Sequence, residues 1–211
     1  MLSSSSVASE GVAAFDFDKT LSTRDCVVPF IRSCLSFSSS RRVLISLPRL
    51  GMAALRRDRD AIKAIVTAGV FRGLERELIE SASVEFSRIV LGDWLRQDTL
   101  ATLQWHQQMG HRTGIVSASY GHYLRPIGEE LGVDFVIASE LEFGGDGRAT
   151  GRLVDGNCRG PEKSRRLKHW LKVNQLEAVA LYAYGDSAGD RELLAMADHP
   201  HFLGRKKQTW S

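Results

Sequence analysis

The segment AAFDFDKTLS, residues 13–22, places Asp16 and Asp18 one residue apart, directly behind an apolar run. Residues 12–17 are apolar apart from Asp16 and are followed by charge, which is typical of a strand buried on both faces. A carboxylate at the end of such a strand is costly to bury, and a pair costs more. A polar strand end would produce the same pattern, so the rest of the chain decides whether the two charges have a chemical use.

Length and composition predict an ordinary globular protein. The 211 residues suffice for one sizeable core with a smaller subdomain, and 43% hydrophobic with 25% charged residues is a common balance. The formal net charge of +3 permits an anionic substrate, but basic and aromatic residues do not interleave as nucleic-acid binding requires. We therefore expect no nucleic-acid partner.

Cysteine usage and hydropathy predict a cytoplasmic protein. The three cysteines (Cys26, Cys34 and Cys158) form no CxxC pair and no even framework, which indicates reduced thiols. The most apolar stretch, residues 43–55, is too short to span a bilayer, so we expect no transmembrane segment. Its flanking arginines would suit a membrane surface, but a packed helix pair is the favoured interpretation.

The hydrophobic pattern divides the chain into three regions. Residues 1–11 are predicted to form a disordered tail. Residues 25–95 are arginine-rich and helical in period, without a clear strand, which predicts an inserted helical bundle. Residues 12–24 and 96–211 alternate strands with helices, which predicts an α/β core with a doubly wound parallel sheet.

The second half carries four local features that refine this scheme. A helix is expected from an N-cap at Asp98 to residue 109. Pro126 requires that the next helix either begins late, near residue 125, or is kinked. Residues 140–156 hold two short extended runs around a Gly/Asp turn, which predicts a β-hairpin. His199 and His201 flank a proline and are expected in a loop, so a last strand stays open.

Polar residues collect at the ends of the predicted strands and at the start of one helix. They are Asp16, Asp18, Ser117, Lys163, Asp186 and Asp190. Because ligands of doubly wound sheets bind outside the carboxyl ends of the strands, we expect these side chains to converge. Four carboxylates require a cation, and an oxygen ligand set suits Mg²⁺. Magnesium, a lysine, a hydroxyl and backbone amides together suit phosphoryl chemistry, in which a carboxylate can attack phosphorus.

Four motifs carry a resemblance to a known family. In order along the chain they are DFDKTL, IVSAS, GPEK and YGDSAGD. Their order and spacing resemble the haloacid dehalogenase superfamily of phosphohydrolases, over residues 12–197. The helical insert directly after the first motif resembles subfamily IB, which includes phosphoserine phosphatase. The resemblance implies a Rossmann-like core, a helical cap of the C1 type, a Mg²⁺ cofactor and a small phosphorylated metabolite as substrate.

The resemblance also implies a role for each aspartate. Asp16 would be the nucleophile that forms an aspartyl phosphate, with its carboxylate also on Mg²⁺. Asp18 would be the general acid and base, and its backbone carbonyl would bind the metal. Asp186 would be a direct metal ligand. Asp190 would support the site, either by ligating the metal through water or by holding Lys163.

The remaining implied roles concern the phosphate. Ser117 and Ala118 would bind phosphoryl oxygens, and Lys163 would neutralise charge there and on Asp16. Thr20 would orient Asp18 or touch the phosphate. Asp25 stands where phosphoserine phosphatases carry a glutamate for the substrate amine.

Two departures from the phosphoserine phosphatase pattern affect the expected substrate. Thr67 stands where an arginine would bind the substrate carboxylate, and Ala118 with Ser119 replaces a double glycine. We therefore expect a small phosphomonoester other than phosphoserine, and an amine-bearing one would suit Asp25. The alternatives are a non-catalytic phospho-acceptor or phosphate-binding module and a phosphotransferase with an alcohol acceptor. The sequence leaves the oligomeric state open.

Overall fold

Six strands form one sheet in the computed structural model, which describes residues 11–36 and 58–204. The strands are β1 (Gly11–Phe15), β2 (Arg112–Tyr120), β3 (Phe135–Phe143), β4 (Ala149–Val154), β5 (Ala180–Gly185) and β6 (His199–Phe202). They lie in the order β4-β3-β2-β1-β5-β6. Neighbours are parallel except β3 and β4, which form the predicted hairpin as an antiparallel pair.

The described residues also form seven α-helices. They are α1 (Val27–Ser36), α2 (Arg59–Phe71), α3 (Arg76–Asp93), α4 (Gln97–Gln108), α5 (Gly121–Glu130), α6 (Pro161–Val173) and α7 (Arg191–Ala195). Helices α6 and α7 pack on one face of the sheet, whereas α4 and α5 lie in the core cluster on the other face. Helices cover both faces, as the alternation of strands and helices predicted.

Strand β1 is buried on both faces. Because side chains alternate along a strand, Ala13 and Phe15 pack into one core cluster and Val12 and Ala14 into the other. Strand β1 lies between β2 and β5, so the direction in which the chain adds strands reverses beside it. This reversal marks the crevice where doubly wound sheets bind ligands, and the predicted fold class is confirmed.

Helices α1, α2 and α3 belong to a segment that leaves and re-enters the sheet-bearing part at one place. The N–H of Thr23 donates to the carbonyl of Trp94 at 2.7 Å, and the N–H of Arg96 donates to that of Leu21 at 2.8 Å. The outgoing and returning chains therefore lie side by side. Helix α3 packs against α5, and α2 packs against β4.

Close contact between α2 and β4 depends on one glycine. Gly151 has a φ of +80°, and a Cβ at this position would lie 3.0 Å from the Cα of Ala68. A larger residue would both strain the backbone and push α2 away. Aromatic rings fill the adjoining space, with Phe30 of α1 at 4.7 Å from Tyr123, centroid to centroid.

The predicted N-cap of α4 is wrong. The helix begins at Gln97, with Arg96 at the N-cap position. The Asp98 carboxylate lies in the first turn, where it accepts hydrogen bonds from the Arg96 guanidinium at 2.6 Å and from the N–H of Thr99 at 2.9 Å. A negative charge in the first turn still favours a helix start, through the helix dipole.

A late start near residue 125 for the next helix is also wrong. Helix α5 begins at Gly121 and contains Pro126. The proline removes one backbone hydrogen bond, but Tyr123, Leu124 and Ile127 are fully buried on this helix. Burial of three large side chains outweighs one lost hydrogen bond.

His199 and His201 lie in strand β6 and not in a loop. The strand pairs in parallel with β5. The ring of His199 stacks on Tyr182 with centroids 4.4 Å apart, and His201 stacks on Tyr184 at 4.6 Å. Backbone pairing and ring stacking together hold these polar residues at the sheet edge.

Some expectations fall on residues that the structure does not describe. The predicted helix pair at 43–55 is among them, as are residues 1–10 of the predicted tail. Gly11, the last residue of the predicted tail, is instead the first residue of β1. Among the described helices, none combines the length and apolar character that crossing a bilayer requires.

Candidate active site

Asp16 lies immediately beyond β1, at the carboxyl edge of the sheet. Its N–H donates to the carbonyl of Tyr184 in β5 at 2.9 Å, which extends the strand pairing by one step. The ammonium of Lys163, in the first turn of α6, donates to Oδ1 of Asp16 at 2.6 Å. Both side chains are buried, with residue exposures of 5% for Asp16 and 2% for Lys163. A buried charge pair of this kind is stable only with close geometry.

Lys163 also contacts a second buried carboxylate. Its Nζ lies 2.5 Å from Oδ1 of Asp190, whose Oδ2 accepts hydrogen bonds from the N–H and the hydroxyl of Ser187. Burial by itself would lower the pKa of Lys163, but Asp16 and Asp190 outweigh burial and raise it. Lys163 is therefore a fixed cation between two carboxylates, and Asp190 holds it there.

Three carboxylates lie close together in this cluster, and Lys163 contacts two of them. Carboxylate oxygens of Asp16, Asp186 and Asp190 lie within 4.8 Å of one another. Burial raises the pKa of Asp16 to about 7, against the attraction of Lys163 and with added repulsion from Asp190 and Asp18. Burial also raises the pKa of Asp186, and repulsion from Asp190 adds to the rise. Excess negative charge on hard oxygen donors is the composition that suits a divalent cation such as Mg²⁺.

The Asp18 carboxylate is held by two hydrogen bonds. Its Oδ1 accepts from the N–H of Cys26 at 2.8 Å, and its Oδ2 accepts from the hydroxyl of Ser119 at 2.5 Å. Burial and the charge of Asp25 raise the pKa of Asp18 to about 6, and the two hydrogen bonds oppose that rise. The group is thus close to the range in which it can both give and take a proton near neutral pH.

The resemblance implies that Thr20 orients Asp18 or touches the phosphate, and its hydroxyl makes no hydrogen bond to Asp18. Its hydroxyl is buried and has no hydrogen-bond partner among the described residues. Its carbonyl accepts from the hydroxyl of Thr99 at 2.7 Å, which ties the turn after β1 to α4. Cys26 and Ser119 hold Asp18 instead, and the motifs predict a site role for neither.

Ser117 and Ala118 lie in an irregular part of β2. Val116 pairs with Ile137 and Tyr120 with Ser139, so three residues of β2 face a single residue of β3. A bulge of this kind redirects side chains and frees backbone groups from the ladder. Within it, the hydroxyl of Ser117 accepts from the N–H of Ser119 at 3.2 Å.

The expected site residues converge on one cavity of about 320 Å³. Thr20 is the exception, because it is absent from the described lining. From the sheet edge the lining includes Asp16, Asp18, Ser117, Ala118, Lys163, Asp186 and Asp190. Asp25 and residues of α1 and α2 line the side facing the inserted helices. Carboxylates, a cation and a hydroxyl therefore meet in an accessible pocket, as the strand-end pattern predicted.

Four basic residues in the described lining have no predicted site role. They are Lys19 after β1, Arg59 and Lys63 of α2, and Arg159 before α6. Thr67, which stands where the resemblance places an arginine, is buried and bonded to the hydroxyl of Tyr120 at 2.8 Å. Because residues four apart share one helix face, the position of Thr67 could have pointed to Lys63 as the basic residue on that face.

Comparison with known proteins defines the class. The family model described as haloacid dehalogenase-like hydrolase matches residues 13–195. The chain therefore belongs to this family, and the resemblance carried by the four motifs is confirmed.

Among relatives, Protein CicA of Caulobacter vibrioides (strain NA1000 / CB15N) is 33% identical over 187 residues, covering 89% of this chain and 83% of that protein. Phosphoserine phosphatase SerB2 of Mycobacterium tuberculosis (strain ATCC 25618 / H37Rv) is 32% identical over 96 residues, 46% of this chain and 23% of that protein.

A solved structure of similar fold is described as a phospho-aspartyl intermediate analogue of phosphoserine phosphatase. It superposes with a TM-score of 0.60 at 19% identity, covering 90% of this chain and 84% of that one. At this identity the likeness concerns the fold. The family match makes the chain a haloacid dehalogenase-like hydrolase, and the solved phosphatase shares its fold.

Proposed function

We propose that the protein hydrolyses a small phosphomonoester through an aspartyl phosphate on Asp16, with Mg²⁺ as cofactor. The observation that carries this proposal is the pairing of Asp16 with Lys163, 2.6 Å apart at the floor of an accessible cavity. A carboxylate whose charge is balanced by a buried ammonium can receive a dianionic phosphoryl group with less repulsion.

In the first step, a carboxylate oxygen of Asp16 attacks phosphorus, and the bond from phosphorus to the ester oxygen breaks. Asp18 gives its proton to the departing oxygen, which leaves as the alcohol. The raised pKa of Asp18, about 6, favours the protonated form that this step needs. Ser117 donates a hydrogen bond to a phosphoryl oxygen, and Ala118 lines the same part of the cavity.

In the second step, water attacks phosphorus of the aspartyl phosphate and Asp18 takes the water proton. The bond between phosphorus and the Asp16 oxygen breaks, which releases inorganic phosphate and restores the carboxylate. Asp18 is then protonated again, ready for the next ester. Splitting one difficult displacement into two steps is the usual benefit of a covalent intermediate.

The residues present fit a Mg²⁺ site. The carboxylates of Asp16 and Asp186 and the backbone carbonyl of Asp18 would hold the ion, with Asp190 in support through its contact with Lys163. When bound, Mg²⁺ neutralises phosphoryl charge and offsets the repulsion between the carboxylates.

We further propose that residues 25–95 form a cap that determines the substrate, on a core of residues 12–24 and 96–211. Support comes from the paired entry and exit of the chain at residues 21–23 and 94–96, and from the cavity wall that α1 and α2 supply. In this wall Asp25 would bind a positive group of the substrate. Because Thr67 is bonded to Tyr120 and does not line the described cavity, we propose a substrate other than phosphoserine.

We also propose that the protein is cytoplasmic. All three cysteines are unpaired and buried, which suits a reducing compartment.

Phosphate release from a panel of small phosphomonoesters, with and without Mg²⁺, tests the function. We expect turnover by the wild type, none by Asp16→Asn, and slow turnover by Asp18→Asn. One equivalent of bound phosphate without release would instead support a phospho-acceptor module. A phosphorylated product that appears only with an added alcohol would support a phosphotransferase. Wild-type turnover by Asp16→Asn, with deamidation excluded by mass spectrometry, would contradict the nucleophile assignment.

A further inference from the structure

Helix α2 carries three polar side chains toward the sheet. Asp60, Lys63 and Thr67 are spaced three and four residues apart, so they lie on one face of the helix. Each contacts a different group of the sheet-bearing part of the chain. The middle one, Lys63, also lines the cavity.

Lys63 binds a carbonyl that the bulge in β2 has released from the sheet. Its ammonium donates to the carbonyl oxygen of Ala118, which also accepts from the hydroxyl of Ser139 at 3.1 Å. The ammonium lies 4.5 Å from the ring centroid of Tyr120. Carbonyl and aromatic face both compensate a cation removed from water.

The neighbours of Lys63 on α2 reinforce this contact. On one side, Thr67 and Tyr120 share a hydrogen bond of 2.8 Å between their hydroxyls. On the other, the side-chain amide of Asn157 donates to Oδ1 of Asp60 at 2.6 Å. Helix α2 is therefore held by three successive contacts along one face. Of these three, only the contact of Lys63 is to a backbone group.

The carbonyl of Ala118 belongs to the same planar peptide as the N–H of Ser119. That N–H donates to Ser117 Oγ at 3.2 Å, and the Ser119 hydroxyl donates to Asp18 at 2.5 Å. Turning the peptide would move Ser117 and the partner of Asp18 together. A single contact from α2 thus reaches both the phosphate-binding serine and the proton-transferring carboxylate.

We propose that Lys63 is a positioning residue, which fixes the Ala118–Ser119 peptide and through it the orientation of Asp18. The inference rests on the proposed phosphomonoesterase activity. It makes the docking of α2 a condition for proton transfer to the leaving group. Lys63 itself touches no reacting atom in this role.

The test compares two esters that differ in their need for a proton. An alkyl ester such as β-glycerol phosphate requires protonation of its leaving oxygen, whereas para-nitrophenolate leaves without it. In Lys63→Met we expect kcat/KM for the alkyl ester to fall by about 10- to 100-fold, the cost of small misplacement of a catalytic group. For para-nitrophenyl phosphate the same ratio should change by less than about threefold.

Three further variants complete the comparison. Lys63→Arg, which keeps a cationic donor, should recover most of the alkyl-ester activity. Ser119→Ala should reproduce the selective loss, because it removes the hydrogen bond that links this peptide to Asp18. The matched control is Lys168→Met, which changes an exposed lysine of α6 and should behave as the wild type.

A second measurement needs no turnover. Hydrogen exchange at the Ser119 amide should be faster in Lys63→Met by about 2- to 12-fold, the equivalent of one hydrogen bond, and unchanged in Lys168→Met. An unchanged exchange rate would overturn the inference, as would an equal loss for both esters or a loss for neither. If the wild type hydrolysed no ester, the proposed function would fail, while the exchange rate would still decide whether Lys63 holds this peptide.

Discussion

The hydroxyl of Ser119 donates a 2.5 Å hydrogen bond to Oδ2 of Asp18, although the two residues are 101 positions apart in the chain. With the N–H of Cys26 on Oδ1, both oxygens of this carboxylate are held. Burial and the charge of Asp25 disfavour the charged form, whereas the two bonds favour it, so the pKa of Asp18 near 6 is a balance between these effects.

Ser119→Ala should slow turnover by about tenfold, a part of the ~10²–10⁴-fold that positioned proton transfer contributes. Loss of the hydrogen bond releases one oxygen of Asp18 and raises its pKa further. Steady-state kcat with an alkyl phosphate measures the effect. Ser81→Ala, on the exposed surface of α3, is the control and should be silent. An unchanged kcat in Ser119→Ala would show that the bond has no catalytic consequence.

Metal removal should abolish phosphate release. EDTA should stop turnover, Mg²⁺ should restore it, and Ca²⁺ should inhibit because it favours looser, higher coordination. Asp186→Asn should raise the Mg²⁺ concentration for half-maximal rate at least about tenfold, since one carboxylate ligand is lost. Asp93→Asn, an exposed aspartate at the end of α3, serves as control. Full activity in a metal-free preparation would contradict the metal requirement.

Lys163→Met should destabilise the fold as well as remove activity. Without the ammonium, Asp16 and Asp190 face each other as uncompensated buried charges, which typically costs about 3–5 kcal/mol. Urea unfolding at neutral pH measures the loss, and Lys172→Met, exposed on the same helix, should change little. The deficit should shrink in mild acid, because burial raises the pKa of Asp16 and loss of the Lys163 charge raises it further, so Asp16 becomes neutral there. Equal stability of Lys163→Met and wild type would mean that the carboxylates adapt without their cation.

Asp25→Ala should act on substrate binding. Asp25 lines the cavity on the side of the inserted helices and is itself exposed. We expect a higher KM for the preferred substrate and little change for para-nitrophenyl phosphate, which carries no positive group. If phosphoserine were the best substrate by kcat/KM across a broad panel, the substrate proposal would be wrong while the aspartate chemistry stood.

His106 should make stability depend on pH below neutrality. Its ring nitrogens contact His111 at 2.8 Å and the hydroxyl of Tyr184 at 2.9 Å. Burial lowers the pKa of His106 from 6.5 to about 4, and repulsion from the neighbouring His111 and His201 contributes to this shift. As the pH falls, the unfolded chain therefore takes up a proton on His106 before the folded chain does. The contribution of neutral His106 to stability is complete above pH 6.5 and is lost as the pH drops toward 4.

The loss per pH unit in this window is at most about 1.4 kcal/mol for one histidine. Unfolding curves between pH 4 and 7 measure it, with His106→Gln as the comparison because it keeps a polar partner for Tyr184 without titrating. The same pH dependence in His106→Gln would assign the effect to other groups.

Much of the sheet and of the site was predictable because the signals are local. The apolar run before Asp16 marks a buried strand whatever its neighbours are, and β1 occupies that run. Carboxyl ends of parallel strands share one edge, so Asp16 and Asp186 had to converge once the strands were recognised. The hairpin of β3 and β4 followed from its turn residues for the same reason.

Other features depended on packing that no local pattern reports. His199 and His201 lack the sequence of a strand, and they form one because β5 offers an edge and two tyrosine rings. Likewise, α5 tolerates Pro126 because neighbouring residues of the helix are buried. In both cases tertiary contact overrides a local preference.

By itself, the sequence determined which residues carry the charge and at which strand ends they stand, because both follow from residue type and from a period of two or of 3.6. Only the tertiary structure decided which groups hold them. Ser119 reaches Asp18 across 101 positions, and Lys63 reaches the carbonyl of Ala118 across 55. Such bonds depend on where a bulge turns a peptide and how closely a helix docks, and both are set by the packing of distant segments.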